Sequence, residues 1–375
     1  MMYKGNKIEQ EIQATENTLL DRSSSIGSKK NKIVVRNSIS HNSLSPSRSY
    51  MKHVSLIFLT LQNVASILLL RYVRTTPGPR FINSTAVLNS EIQKTIFSIL
   101  LLIYEQRSVI TSFKVIYNKI IRQSKDTLKT GIPALLYTLQ NNLLLVAISN
   151  LDAATLQVSF QLKIFTTAIF TVLILRRPLN LVQWLALFLL FLGISLVQIE
   201  NMTSVTPKHD VNPVLGLISV VSACTLSGLA GVYFEKILKG SDVSVWIRNI
   251  QLGLFGMLFG FLTVYISDGT QIKTKGFLFG YTDIVWIAIT IQSAGGLLVA
   301  LVIKYADNIL KGFATSLAII ISCVISITLF DFQLTFLFSL GTIFVIFSLF
   351  IYSKPDLITH VPIFNIIFKD RSVLF

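Results

Sequence analysis

The chain has 375 residues, 52% of them hydrophobic and 14% charged, with a formal net charge of +15 at pH 7. Soluble domains carry roughly 25% charged residues. With a mean hydropathy of +0.65, the composition excludes an ordinary soluble enzyme, a disordered chain and a secreted disulfide scaffold, and points to a polytopic membrane protein.

Residues 1–50 hold no apolar core but contain Ser23 to Ser25, Lys29-Lys30 and the serine-rich stretch around Pro46. They read as a disordered, basic cytosolic tail. From Lys52 onward, apolar runs long enough to cross a bilayer fall near 53–72, 84–104, 131–149, 152–175 and 180–199. After a polar gap they resume near 212–235, 244–266, 281–303, 308–330 and 332–353. The expected architecture is therefore an all-α membrane protein of ten transmembrane helices. Residues 51–200 form a first five-helix repeat, 201–211 a lumenal linker, 212–353 a second five-helix repeat and 354–375 a cytosolic C-terminal tail. Five is odd, so a duplicated half inserts upside down, the inverted-repeat plan of many secondary transporters. A faint internal echo fits this plan. The interval from Asp152 to Pro178 equals that from Asp307 to Gln333, and each brackets an apolar helix followed by a break.

Lys and Arg favour cytosolic loops. With the N-terminus in the cytosol, the loop at 105–130 receives Arg107, Lys114, Lys119, Arg122, Lys125 and Lys129, and the next cytosolic loop Arg176 and Arg177. Fewer basic residues reach the other side. Both glycosylation sequons, at Asn83 and Asn201, fall in lumenal loops, the side where they are usable. The net charge thus reports orientation. With no basic patch interleaved with aromatics, nucleic acid is not an expected partner.

Polar residues inside a span cost roughly 2.5–3.5 kcal/mol each on insertion scales, so they mark candidate sites. Glu91 and Lys94 share one face of the second span, either as a self-satisfying ion pair or as groups facing a water-filled cavity. Gln140, Asn141 and Asn142 interrupt the third span. Lys163 sits deep in the fourth with no acid a turn away, so it calls for an anion or for an acid on another helix. Lys311 enters the ninth span beside Asp307-Asn308. Gly228, Gly231, Gly253, Gly256, Gly260, Gly295 and Gly296 permit close helix packing, and the first two also permit close approach of backbone to a ligand. Cys224 and Cys323 lie in apolar runs and the four histidines lie far apart, so neither a disulfide nor a metal site is expected. No phosphate-cradling loop, nucleophile elbow or carboxylate pair is present. No catalytic residues and no cofactor are expected.

Several stretches carry a resemblance: Tyr137-Thr-Leu-Gln-Asn-Asn142, Ser149-Asn-Leu-Asp-Ala-Ala-Thr155, Gln161-Leu-Lys163, Ala230 to Lys239, Val245-Trp-Ile-Arg-Asn-Ile-Gln-Leu-Gly253 and Lys304 to Thr315. From Lys52 to Tyr352 the chain resembles the nucleotide-sugar transporters of the Golgi, in the subfamily that carries UDP-galactose, UDP-N-acetylglucosamine and CMP-sialic acid. The resemblance implies the drug/metabolite transporter fold with both termini cytosolic, and exchange of a cytosolic UDP-sugar for lumenal UMP. It places Tyr137, Gln140, Asn141, Lys163, Gly228, Gly231, Asn249 and Lys311 around the nucleotide, and Glu91 and Lys94 toward the sugar. UDP-N-acetylglucosamine is the favoured cargo, with UDP-galactose close behind. A CMP-sialic acid carrier and a non-transporting Golgi scaffold are the alternatives. The partners implied are the nucleotides and the bilayer, with room for homo-oligomers or glycosyltransferase complexes. The chain departs from the family pattern at Leu156 and Phe160, where the family has tyrosines, the first of which packs on the nucleotide.

Overall fold

The computed structural model describes residues 46–75, 79–151, 153–200, 212–330 and 335–353. Residues 1–45 of the expected tail at 1–50, the linker at 201–211 and the C-terminal tail at 354–375 lie outside these, as does Asn201, whereas residues 46–50, expected to be disordered, open the first helix. The chain divides into two compact units at Lys52, and the description below concerns the second.

Every described element is helical. In chain order they are α1 (Pro46–Thr75), α2 (Asn83–Gln106), α3 (Val109–Ile116), a π-helical turn (Tyr117–Arg122), α4 (Ser124–Asn150), α5 (Ala153–Phe160), α6 (Lys163–Leu175), α7 (Leu181–Glu200), α8 (Pro213–Lys239), α9 (Val245–Lys275), α10 (Asp283–Tyr305), α11 (Asn308–Phe330) and α12 (Phe336–Ser353). Among the described residues nine helical stretches are long and apolar enough to cross a membrane, and Leu181–Val197 is a shorter apolar helix. The expectation of ten spans therefore meets nine that satisfy the length criterion.

Three differences from the sequence reading have physical causes. The segment after α2, read as a loop, is helical. Ser108 caps α3 by accepting a hydrogen bond from the Thr111 amide at 3.3 Å, and Ser112 is fully buried. α4 begins at Ser124, well before residue 131, because its polar first turns are held by other helices rather than by apolar character. Thr127 donates to the Ile120 carbonyl at 2.9 Å and accepts from Gln251 at 3.0 Å. The fourth span, Thr155–Leu175, is interrupted at Gln161-Leu162, where the backbone tightens to i→i−3 hydrogen bonds that separate α5 from α6.

In a bilayer the hydrophobic effect does not drive helix association, so close packing and internal hydrogen bonds do. α7 packs along α12, α4 along α8, α2 along α9 and α6 along α8. Glycines set the closest approaches. A Cβ on Gly193 meets the Gly341 carbonyl at 2.8 Å, and one on Gly341 meets the Gly193 carbonyl at 2.6 Å, so α7 and α12 touch backbone to backbone. Gly256 accommodates the Glu91 carboxylate and Gly296 the Lys94 stem. The largest apolar cluster joins α6, α7, α11 and α12 through Ala168, Leu187, Leu190, Ile309, Phe313 and Val345. Outward-facing Leu258, Phe261, Leu262 and Ile266 on α9 stay exposed, the pattern of a lipid-facing stripe.

Overpacking a filled interface costs about 1–3 kcal/mol. Gly341→Val is expected to lower the thermal-unfolding midpoint of the purified protein in detergent, whereas Gly269→Ala, at a glycine inside α9 with open space around it, is expected to keep or slightly raise it.

Candidate functional site

The break in the fourth span builds the most distinctive site in the molecule. At Gln161-Leu162 the backbone tightens: the Gln161 and Leu162 amides donate to the Val158 and Ser159 carbonyls at 3.1 Å each, and Ile164 donates to Gln161 at 2.9 Å. Irregular backbone at membrane depth is tolerated when its polar groups find partners. α8 supplies them. The Cys224 thiol reaches the Phe160 carbonyl at 3.4 Å, and Thr166 donates to the Cys224 carbonyl at 2.7 Å. Gly228 makes this contact possible, since a Cβ there meets Thr166 Oγ1 at 2.7 Å.

Lys163, the first residue of α6, thereby faces an internal cavity of about 390 Å³. Its ammonium lies 4.1 Å from the centre of the Phe160 ring, a cation–π contact worth about 0.5–2 kcal/mol depending on desolvation. Lys311, from the first turn of α11, lines the same cavity. Asn63 from α1, Gln157 and Gln161 from around the break, Ser227 from α8, and Asn308 and Thr315 from α11 supply hydrogen-bonding groups. No carboxylate is among its lining residues. Two lysines without a lining carboxylate give the cavity a chemistry suited to an anion that also takes several neutral hydrogen bonds.

Behind the cavity residue Asn308, opposite charges tie two helices together. Glu235 of α8 is fully buried. Its carboxylate accepts from Lys239 at 2.6 Å and from the Asn308 backbone amide at 2.9 Å, with Arg177 at 3.8 Å. Lys239 also donates to the Ala306 carbonyl at 2.5 Å, and Asp307 caps α11 by accepting from the Leu310 amide at 2.8 Å. The carboxylate thus joins α8 to the start of α11, one turn before Lys311. A second, polar cavity of about 240 Å³, lined by Lys52, Arg177 and Asp307 among others, shares Ile309 with the first.

Of the residues singled out in sequence, the structure brings Lys163 and Lys311 together. Gly231 packs against the Asn308 side chain, so it stands behind a cavity residue, as Gly228 stands behind Thr166. Glu91 and Lys94 pair at 2.5 Å on α2, between α9 and α10. Gln140 is buried with Oε1 unpartnered, Tyr137 is half-buried and Asn141 is exposed. Asn249 is buried and donates to the Val245 carbonyl at 3.1 Å. Asn83 is exposed at the start of α2. Phe160, one of the two departures from the family pattern, lines the cavity. The other, Leu156, packs with Leu144, Leu151 and Val220 in an apolar cluster. Sequence reasoning passed over Asn63, Gln157, Ser227 and Glu235. Asn63 carried the same signal as Gln140, an amide in mid-span. Gln157 and Ser227 carried none, because neutral polar groups are common on helices.

A helical, multi-spanning membrane protein with a cation-lined internal cavity is the class that fold and site define. The chain belongs to the nucleotide-sugar transporter family, whose model matches residues 47–353. It is 51% identical to the UDP-galactose translocator of Homo sapiens over 81% of this chain and 78% of that one. It is 48% identical to the human UDP-N-acetylglucosamine transporter over 80% of this chain and 95% of that one. A solved crystal structure shares the fold at a TM-score of 0.58 and 9% identity, covering 82% of this chain and 98% of the other.

Removing one partner of a buried ion pair costs about 3–5 kcal/mol, because the other is left uncompensated. Glu235→Ala is therefore expected to lower the thermal midpoint markedly. Arg177→Ala is expected to cost under about 1 kcal/mol, since the Arg177 side chain is 57% exposed and the contact is long. Paired thermal melts check the ranking.

Proposed function

We propose that this chain is a Golgi antiporter that exchanges cytosolic UDP-sugar for lumenal UMP by alternating access, with both termini in the cytosol. The observation that carries this reading is the cavity holding Lys163 and Lys311 without a lining carboxylate. A pyrophosphate-linked sugar and a nucleoside monophosphate are both anions rich in hydrogen-bonding groups, which suits that lining. The relatives' names supply the nucleotide: UDP-sugar carriers stand at 51% and 48% identity. Identities this close do not separate galactose from N-acetylglucosamine, so both are taken as cargo to be tested.

In this reading Lys163 and Lys311 meet the phosphates. Tyr137, Gln140, Asn141 and Asn249 recognise the nucleotide in the course of the cycle, and Gly228 and Gly231 let α8 approach it closely. Glu91 and Lys94 act toward the sugar. The two five-helix halves, 51–200 and 212–353, are inverted repeats. Two pairings support that plan, since a pseudo-two-fold axis maps each onto itself: α7 with α12 (fifth and tenth spans) and α2 with α9 (second and seventh). The Glu235 tie is the gate on the cytosolic side, and its opening admits the UDP-sugar.

Proteoliposomes preloaded with UMP are expected to take up labelled UDP-galactose or UDP-N-acetylglucosamine faster than empty ones. Equal rates would overturn the exchange. A thermal-shift panel is expected to show stabilisation by UMP and UDP-sugars but not by GMP. Lys163→Ala and Lys311→Ala each remove a charged hydrogen-bond donor, so nucleotide affinity is expected to fall roughly ten- to hundredfold. Glu91→Gln is expected to change the ratio of the two sugars transported more than the affinity for UMP.

A further inference from the structure

The transport reading leaves one surface without a role. Between α2 and α4 the chain does not loop freely but forms α3 and the π-helical turn, a segment with two different apolar faces. The inner face is filled. Ile120 packs with Leu102, Ile247 and Ile250, and Val115 and Ile116 lie against the same cluster. Gln251 of α9 donates to the Lys119 carbonyl at 3.2 Å, and Arg248 of α9 pairs with Asp126 at 2.7 Å just after the turn. The segment is therefore bound to α9 as a fixed ledge.

The outer face is apolar as well. Val109, Ile110, Phe113, Tyr117 and Ile121 are 54–70% exposed and recur at helical spacing along one stripe. Val109, Ile110, Phe113, Lys114, Tyr117 and Asn118 line a groove of about 480 Å³. Basic residues border this stripe: Arg107, Lys114, Lys119, Arg122 and Lys125 make no ion pair among the described residues. The acids nearby are engaged elsewhere. Glu105 accepts from Ser244 at 2.8 Å, and Asp126 is held by Arg248 and Lys129. What remains outward is apolar surface edged by uncompensated positive charge.

Topology says what covers it. The segment joins the ends of two membrane-crossing helices with only short connections, Arg107-Ser108 before it and Gln123 after it. It therefore sits at the level where hydrocarbon meets headgroups. An amphipathic helix with basic edges at that level lies in the interface plane, its apolar side in the acyl boundary and its cations among headgroup phosphates. We propose that α3 and the π-helical turn form an interfacial ledge that binds anionic phospholipid, with acyl chain in the Phe113–Tyr117 groove and headgroup phosphate on Lys114, Lys119 and Arg122. Because the ledge is bonded to α9, which packs along α2 and α4, the bound lipid buttresses three spans.

The test uses the full chain in detergent with added phosphatidylserine or phosphatidylcholine, and retained lipid is read by native mass spectrometry. The wild-type protein is expected to retain phosphatidylserine in preference to phosphatidylcholine. Each neutralised charge near a lipid surface is expected to lower that preference roughly fivefold. Lys114→Gln/Lys119→Gln/Arg122→Gln together are expected to abolish it while the unliganded thermal midpoint is kept. Should the triple variant fail to fold, the three single changes read the same quantity. Equal retention of the two lipids by the wild type, or an undiminished preference in the variants, overturns the proposal. So do disulfide-linked dimers through Phe113→Cys in vesicles, which assign the stripe to a second copy of the chain.

Discussion

A protonated lysine inside a hydrophobic bundle is tolerated only if the protein supplies what water no longer does, and the arrangement around Lys163 follows from that requirement. The ring of Phe160 lies under the ammonium, and the helix breaks immediately before it. The carbonyls loosened by the break are taken up by Cys224, and the α8 backbone comes close enough to do so because residue 228 is glycine. A continuous helix would satisfy its own backbone and present only side chains. The broken one turns a span into a lining surface and places Lys163 opposite Lys311.

Carboxylate placement completes the electrostatics. Glu235 sits beyond the cavity and is saturated by Lys239, Arg177 and the Asn308 amide, so it does not neutralise the lining. Glu91 is likewise consumed by Lys94. Glu235 thereby ties α8 to α11, Glu91 is neutralised within α2, and the cavity keeps its positive character. This partition distinguishes a cavity with free cationic lining from a merely ion-paired core.

Much of this was legible in sequence where a residue violated its surroundings. Lys163, Lys311 and the Glu91–Lys94 pair stood out because charge in an apolar run is costly, and the boundaries of most helices followed from hydropathy. Three things were hidden. The break at Gln161-Leu162 leaves no proline or glycine mark, because its hydrogen bonds come from α8, far along the chain. α3 looked like a loop because it lies between spans and its burial is against α9. Glu235 was passed over: Lys239 is one turn away, but Arg177 in the loop after α6 and the Asn308 amide of α11 reach it from far along the chain. In each case the deciding contact is long-range, and a one-dimensional pattern does not carry it.

The contact between Gly193 and Gly341 has a mechanical meaning. Each carbonyl lies against the site of the other's absent Cβ, and the side chains of Val197, Phe344 and Val345 close in beside it, so the crossing of α7 and α12 presents nearly the same surface from both sides. Tilt about such a point parts the helices on one side of it and closes them on the other. A single methyl group added there has no room and would wedge the two helices apart.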